Sequence, residues 1–217
     1  MKKIAFFLPL MLLFAGCTAQ EPAAENIREH FDTLAGFAAH VKIFSDFGNS
    51  ALEYELDYAY NREGSDHLVL TAPEPVAGIE ATIDGEESFL LRYGGAELED
   101  GMPPVRGVTP ADGVYWLLRE LRESEPLELW GEPVNGTPAL VLRYEGEADG
   151  VTVMRQVWLT KDGLQPLCAE VYADGTRALL ITFSDYREGA ALPEPISEQP
   201  AEPGAEAAPE QAGPPAE

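Results

Sequence analysis

The residues of this chain that could do chemistry are few, and they do not assemble into a catalytic pattern. His30, His40 and His67 are scattered, with no His-Glu-x-x-His pair and no Cys/His pair at metal-ligand spacing. Each reads as a surface or boundary residue. The chain has no Gly-x-Ser-x-Gly elbow, no phosphate-binding loop and no dinucleotide fingerprint. Glu97, Glu99 and Asp100 crowd the stretch before Gly101-Met102-Pro103-Pro104. Their oxygens would suit Ca²⁺, but the spacing is not that of an EF-hand, so the segment reads as a solvated acidic loop. With 38 acidic residues, some paired carboxylates are unavoidable and say little about acid–base catalysis. The expectation is a protein that is not an enzyme, with no catalytic residue, no metal and no cofactor. Of the two cysteines, Cys168 alternates within an apolar strand pattern and reads as a small core residue. That leaves the thiol of Cys17, and no disulfide.

Cys17 ends an N-terminal segment of recognisable form. Met1-Lys2-Lys3 is basic, Ile4 to Phe14 is almost wholly apolar, and Ala15-Gly16 are small. This is the pattern of a secretory signal peptide. With the cysteine placed directly after the small residues it resembles the lipobox of bacterial lipoproteins, although Phe14 stands where Leu is usual. The resemblance implies acylation of the Cys17 thiol by palmitate-like chains and cleavage that makes Cys17 the first residue. The apolar run of about a dozen residues is shorter than the ~20 that span a bilayer. The expected location is therefore the extracytoplasmic face of a cell membrane, held by lipid. Thr18 is not the Asp that resembles an inner-membrane retention signal, so an outer-membrane location is open in a diderm host.

Composition sets the limits on partners. Loss of Lys2 and Lys3 with the signal would take the formal charge from −24 to −26. Such a chain avoids nucleic acid and anionic headgroups, so its membrane contact must come from the lipid. The remaining partners are a lipid or lipoprotein ligand and an exported protein. The expected organisation is a signal peptide over 1–16, a lipidated tether over 17–24, one domain over 25–187 and a tail over 188–217. The tether reaches only ~25 Å when extended, at about 3.5 Å per residue. The tail holds seven of the chain's 18 prolines, no Lys or Arg and no aromatic residue. That composition predicts disorder.

The domain must then supply whatever binding exists. Ile27, Phe31 and Leu34 predict a helix over 23–35, stopped at Gly36. Strand patterns follow over 39–46 and 51–60, flanking Gly48-Asn49, then over 67–71, 78–83 and 88–93, with Asp84-Gly85 as a two-residue turn. Thr109-Pro110-Ala111-Asp112 predicts a helix start, and Val114, Leu117, Leu118 and Leu121 form its apolar stripe. Strands resume over 127–134, 139–145, 151–160, 165–173 and 176–186. Their joints are Asn135-Gly136, Asp149-Gly150, Asp162-Gly163 and Asp174-Gly175. The fold class is α+β, mainly β. It is a strongly curved antiparallel half-barrel of about ten strands, with two helices packed at its concave face. The Gly- and Pro-rich stretch Ala96 to Val108 is a candidate lid.

This order resembles the LolA/LolB superfamily of lipoprotein carriers and sorting proteins. The resemblance rests on Glu25 to Leu34 as first helix, the hairpin Phe37 to Asp46 with Ala51 to Tyr60, the segment His67 to Tyr93, and Val157-Trp158-Leu159-Thr160-Lys161-Asp162-Gly163-Leu164-Gln165-Pro166-Leu167 as late hairpin. It implies an apolar cavity that takes acyl chains or an apolar element of a partner. It also covers the spore-germination lipoproteins called GerS, which act as protein cofactors. From the apolar alternation itself, a concave face with only two helices to fill it predicts a hydrophobic cavity or groove. Its lining would be Tyr54, Leu56, Tyr58, Leu68, Leu70, Phe89, Leu91, Tyr93, Leu142, Tyr144 and Val157. Two functions follow as expectations: a lipid- or lipoprotein-binding module, and a GerS-like protein cofactor or scaffold.

Overall fold

The computed structural model describes residues 24–46, 48, 51–85, 88–100 and 102–189. The expected signal segment, Cys17 and residues 190–217 lie outside the described residues.

Helix α1 spans Ala24–Thr33 and buries Ile27 and Phe31. Its last turn closes where Leu34 N–H donates to the His30 carbonyl at 3.0 Å. Gly36 is not the helix stop that its position suggested; it is the first residue of β1 (Gly36–Asp46). Its smallness matters for another reason. A Cβ there would sit 2.8 Å from the Tyr60 carbonyl oxygen of the neighbouring strand.

The N-terminal half continues as β2 (Ala51–Asn61), β3 (Asp66–Ala72), β4 (Glu80–Asp84), β5 (Ser88–Tyr93) and β6 (Ala96–Asp100). Helix α2 (Gly113–Glu123) follows, then β7 (Glu128–Gly131), β8 (Ala139–Ala148), β9 (Val151–Thr160), β10 (Pro166–Ala173) and β11 (Thr176–Glu188). All eleven strands form one antiparallel sheet in the order β6-β5-β4-β3-β2-β1-β11-β10-β9-β8-β7. Each half is a simple meander. The halves join where the first strand meets the last, with Val41 opposite Phe183 and Ile43 opposite Ile181. The half-barrel with two helices is thus present, with one strand more than the expected ten.

The extra strand is β6, and it removes part of the expected lid. Ala96 to Asp100 is an edge strand paired with β5 rather than an irregular loop. Gly94 and Gly95, both at positive φ (58° and 82°), make the turn. Turns of this kind need positive φ at both central residues, which glycine adopts without a steric cost. The same geometry recurs at Asn135-Gly136, Asp149-Gly150 and Asp174-Gly175. Asp84 is not a turn residue as expected but the last residue of β4, paired with Ser88.

The α2 start has a different polar anchor from the one expected. The buried Asp112 carboxylate accepts from Thr109 N–H at 3.1 Å, Thr109 Oγ1 at 2.6 Å and Gly107 N–H at 2.7 Å. The acid therefore ties the preceding loop to the helix. Gly113 lets α2 sit close to the sheet, since a Cβ there would fall 2.7 Å from Leu179 Cδ1. Among the described residues no helix is long and apolar enough to cross a membrane.

Candidate functional site

Cross-strand rows give the concave face its geometry. Tyr58, Leu68, Ala81, Leu91 and Leu98 stand opposite one another through β2, β3, β4, β5 and β6. Burial falls off along this row. Tyr58, Leu68 and Ala81 are buried, Leu91 is half-buried, and Leu98 is 57% exposed. The reason is the position of α2. Its Leu117, Leu118 and Leu121 join the core with the central strands and leave the β5–β6 edge uncovered. Two more apolar side chains, Tyr93 and Leu52, are exposed in this half of the sheet.

The expected cavity residues divide along the same gradient. Leu56, Tyr58, Leu68, Phe89, Leu142, Tyr144 and Val157 are buried in one core with α2. Tyr54, Leu70 and Leu91 are half-buried against that core, and Tyr93 is 54% exposed. Burial raises the Tyr58 hydroxyl well above its ordinary range, and it raises Tyr144 likewise.

A polar spine crosses the core beside α2. Arg155 projects from β9 and is only 5% exposed. It forms a 2.7 Å ion pair with Glu120 of α2 and also donates to the Arg106 carbonyl. Burial pushes the Glu120 carboxyl up, against the pull of Arg155. Gly107, at φ 75°, permits this approach, because a Cβ there would meet Arg155 Nη2 and Trp116 Cβ.

Outside the core lies a cleft of about 810 Å³ with mixed polar walls. One wall is Arg106 with Tyr115, Arg119, Arg122 and Glu123 of α2; the other is the turn after β2 and the end of β4, including Arg62, Glu63 and Asp84. Asp66 and Tyr60 also line it. Asp66 is 4% exposed, accepts from Tyr58 OH and Asn61 N–H, and is pushed up to about 6, chiefly by burial. Tyr60 OH accepts from Arg122 Nη1 at 3.1 Å. A smaller groove of about 280 Å³ lies between α2 and the β8–β9 hairpin. Arg106 and Arg119 border both clefts, and each guanidinium lies over the Trp116 ring, 4.9 Å from its centre.

Sequence reasoning missed this arginine cleft and Asp66. The available signal was the pair Arg119 and Arg122, three apart on one face of a helix. Nothing in the sequence placed Arg106 or Glu63 beside them. Cys168 is half-buried on β10, and burial pushes its thiol up to about 11. His40 lies 2.9 Å from Asp57 on the neighbouring strand, and His67 Nδ1 is 3.1 Å from Thr82 Oγ1. Among the described residues no group of three His, Cys, Asp or Glu could hold a metal ion.

No protein-family model and no curated protein matches the sequence. Among solved structures, a DUF1329 family protein from Desulfovibrio piger is 14% identical, with a TM-score of 0.50 over 78% of this chain and 92% of that one. A putative outer membrane lipoprotein-sorting protein domain from Vibrio parahaemolyticus is 15% identical, with a TM-score of 0.48 over 79% and 93%. A LolA superfamily protein from Nitrosomonas europaea is 15% identical, with a TM-score of 0.44 over 79% and 96%. At these identities the likeness is one of fold. The eleven-stranded sheet with two helices is the mainly β half-barrel that the sequence predicted, and the Desulfovibrio piger protein shares that fold.

Proposed function

We propose that this chain is a non-catalytic binding module of the cell envelope, exported and held at the membrane by a lipid on Cys17, that engages a protein partner. The observation that carries this reading is the filled concave face. Leu117 of α2 is 0% exposed in one core with Leu56, Leu142 and Val157, and the accessible clefts beside it are polar. A deep cavity for an acyl chain needs an open apolar interior, and here α2 occupies that volume. The accessible surface offers arginines, tyrosines and an apolar strip at a sheet edge, the residue types that anchor protein interfaces. The GerS-like cofactor role fits this arrangement better than a carrier role.

In-cell crosslinking of the full-length protein, followed by identification of crosslinked chains, tests the reading. A reproducible exported protein partner is expected, and its loss on Leu98→Glu would place it at the exposed strip. Recovery of lipids alone would overturn it. In the same cells Cys17→Ser should move the protein out of the membrane fraction; retention there would remove the anchor from the proposal.

A second reading rests on a specific observation. The row from Leu91 to Leu98, with Tyr93 beside it, is an apolar strip that a lipid or acyl chain could also cover. Uptake of a fluorescent fatty acid by the purified chain, abolished by Leu98→Glu, would favour this lipid-binding role.

A further inference from the structure

We propose that β6 accepts one further antiparallel strand from a partner, an extended segment in which Lys or Arg alternates with apolar residues. This rests on the partner-binding reading and names the chemistry of the segment that the exposed strip takes. β6 ends the eleven-stranded sheet, paired on one side with β5. Gly94-Gly95 is a two-residue turn, so Tyr93 and Ala96 are its closing hydrogen-bonded pair. Antiparallel pairing alternates. Leu98 and Asp100 therefore also bond to β5, while the backbone N–H and C=O of Glu97 and Glu99 point away from it. Two donors and two acceptors thus lie in a row along the open edge, the arrangement that strand addition uses. Leu98 lies between them on the concave face, 57% exposed, with half-buried Leu91 behind it.

The side chains decide which strand fits. Residues directly opposite across an antiparallel pair share a face. A residue opposite Leu98 therefore meets an apolar side chain, and residues opposite Glu97 and Glu99 meet carboxylates. Arg92 answers Glu97 at 2.7 Å. Arg92 also stands opposite Glu80 of β4, so this cross-strand row carries two acids to one arginine. Glu99 stands opposite Leu90 and forms no ion pair among the described residues. The polar face of the edge is thus net acidic, in a chain of net charge −24. A second copy, paired Leu98 to Leu98, would set Glu97 of one chain against Glu99 of the other, which is destabilising; a cationic strand meets both as partners. The other edge of the sheet is less open. β7 has four residues, its Glu128 pairs with Arg143 at 2.7 Å, and Arg143 also lies over the Trp130 ring.

The test uses the full chain carrying Cys17→Ser, followed by NMR amide exchange during titration with the end-blocked peptide Val-Lys-Val-Lys-Val. Its lysines fall opposite Glu97 and Glu99. In the free chain the Leu98 amide should exchange slowly and the Glu97 and Glu99 amides fast; bound peptide should protect both. Methylating the two lysine backbone nitrogens removes the peptide's donors to β6 and should weaken binding at least ~ten-fold with the charges unchanged. The peptide Val-Glu-Val-Glu-Val should not bind. Glu99→Gln should weaken binding up to about five-fold. Glu99→Pro also removes an outward N–H, which an edge strand tolerates, and should abolish binding with the urea midpoint kept; the methylated peptide decides the same point without altering the chain. Binding indifferent to methylation, equal binding of the acidic peptide, or no protection of Glu97 and Glu99 would overturn the proposal, as would a dimer of the chain that Glu99→Pro dissolves. In cells, loss of the crosslinked partner on Leu98→Glu but not on Glu99→Pro would overturn strand addition and leave the partner-binding reading standing. Peptide binding at β6 with lipids alone crosslinked in cells would overturn that reading while the edge still takes the strand.

Discussion

Tyr58 and Asp66 meet in the core between β2 and β3, the Tyr58 hydroxyl donating a 2.5 Å hydrogen bond to Asp66 Oδ2. Asp66 Oδ1 accepts from Asn61 N–H at 3.1 Å, so one carboxylate ties a core tyrosine to the β2–β3 turn. Burial nonetheless outweighs these bonds and pushes Asp66 up to about 6.

The first prediction concerns that carboxylate. Its pKa in the folded chain lies above its unfolded value, so between roughly pH 4 and 6 the folded state binds more protons. Stability from this group is therefore fully present below about pH 4 and is lost as pH rises through about 6, by an amount on the order of 3 kcal/mol. Asn cannot titrate. Asp66→Asn should cost more at pH 4 than at pH 7, by roughly 3 kcal/mol. Urea unfolding of both proteins at the two pH values measures this; an equal cost at both would contradict the assigned environment.

The second concerns the pairing of β1 with β2 at the start of β1. Gly36 lies opposite Asn61 at the start of β1, and an added Cβ would meet the Tyr60 carbonyl oxygen at 2.8 Å. A backbone oxygen in a paired strand cannot step aside as a side-chain tip can. Gly36→Ala should destabilise by about 1–3 kcal/mol, read as a lower urea midpoint with an unchanged slope.

The third concerns the buried ion pair. Arg155→Leu leaves the Glu120 carboxylate without its cation in a site where burial already disfavours its charge. The expected cost is about 3–5 kcal/mol. The double change Glu120→Leu with Arg155→Leu should recover most of it, since neither charge then remains uncompensated. Chemical denaturation of the two singles and the double forms the cycle that measures the coupling.

The fourth concerns the thiol. Burial first, and Glu170 second, push Cys168 up to about 11. The thiolate is the reactive form, so at pH 8 the folded chain should react with a disulfide reagent at least ~100-fold slower than the urea-unfolded chain. The Cys17→Ser variant leaves Cys168 as the sole thiol for this measurement. Equal rates would place the sulfur in water.

Much of the fold was legible because its signals are local. The strict alternation from Leu52 to Tyr60 and the Asn-Gly and Asp-Gly joints marked strands and turns with short-range steric rules. β6 escaped because Glu97 and Glu99 read as a solvated loop, although Gly94-Gly95 ahead of them is a turn signal of the same kind. An edge strand buries little, so its sequence carries a weak apolar pattern.

The site was less legible. Tyr58, Leu68 and Leu91 were all found as inward-facing, but alternation gives a side chain's face and not what covers it. Whether Leu68 lines a cavity or a core depends on where α2 lies.

The sequence by itself determined the strand periods, the turn positions, the apolar stripe of α2 and a lipobox-like Cys17, because these depend on neighbours within a few residues. Only the tertiary structure decided that β1 pairs with β11 and that α2 fills the concave face. It alone brought Arg106, Arg119 and Arg122 into one cleft with Arg62, Glu63 and Asp84. Those relations join residues tens of positions apart, and their partners are chosen by sheet closure and packing, which no local pattern encodes.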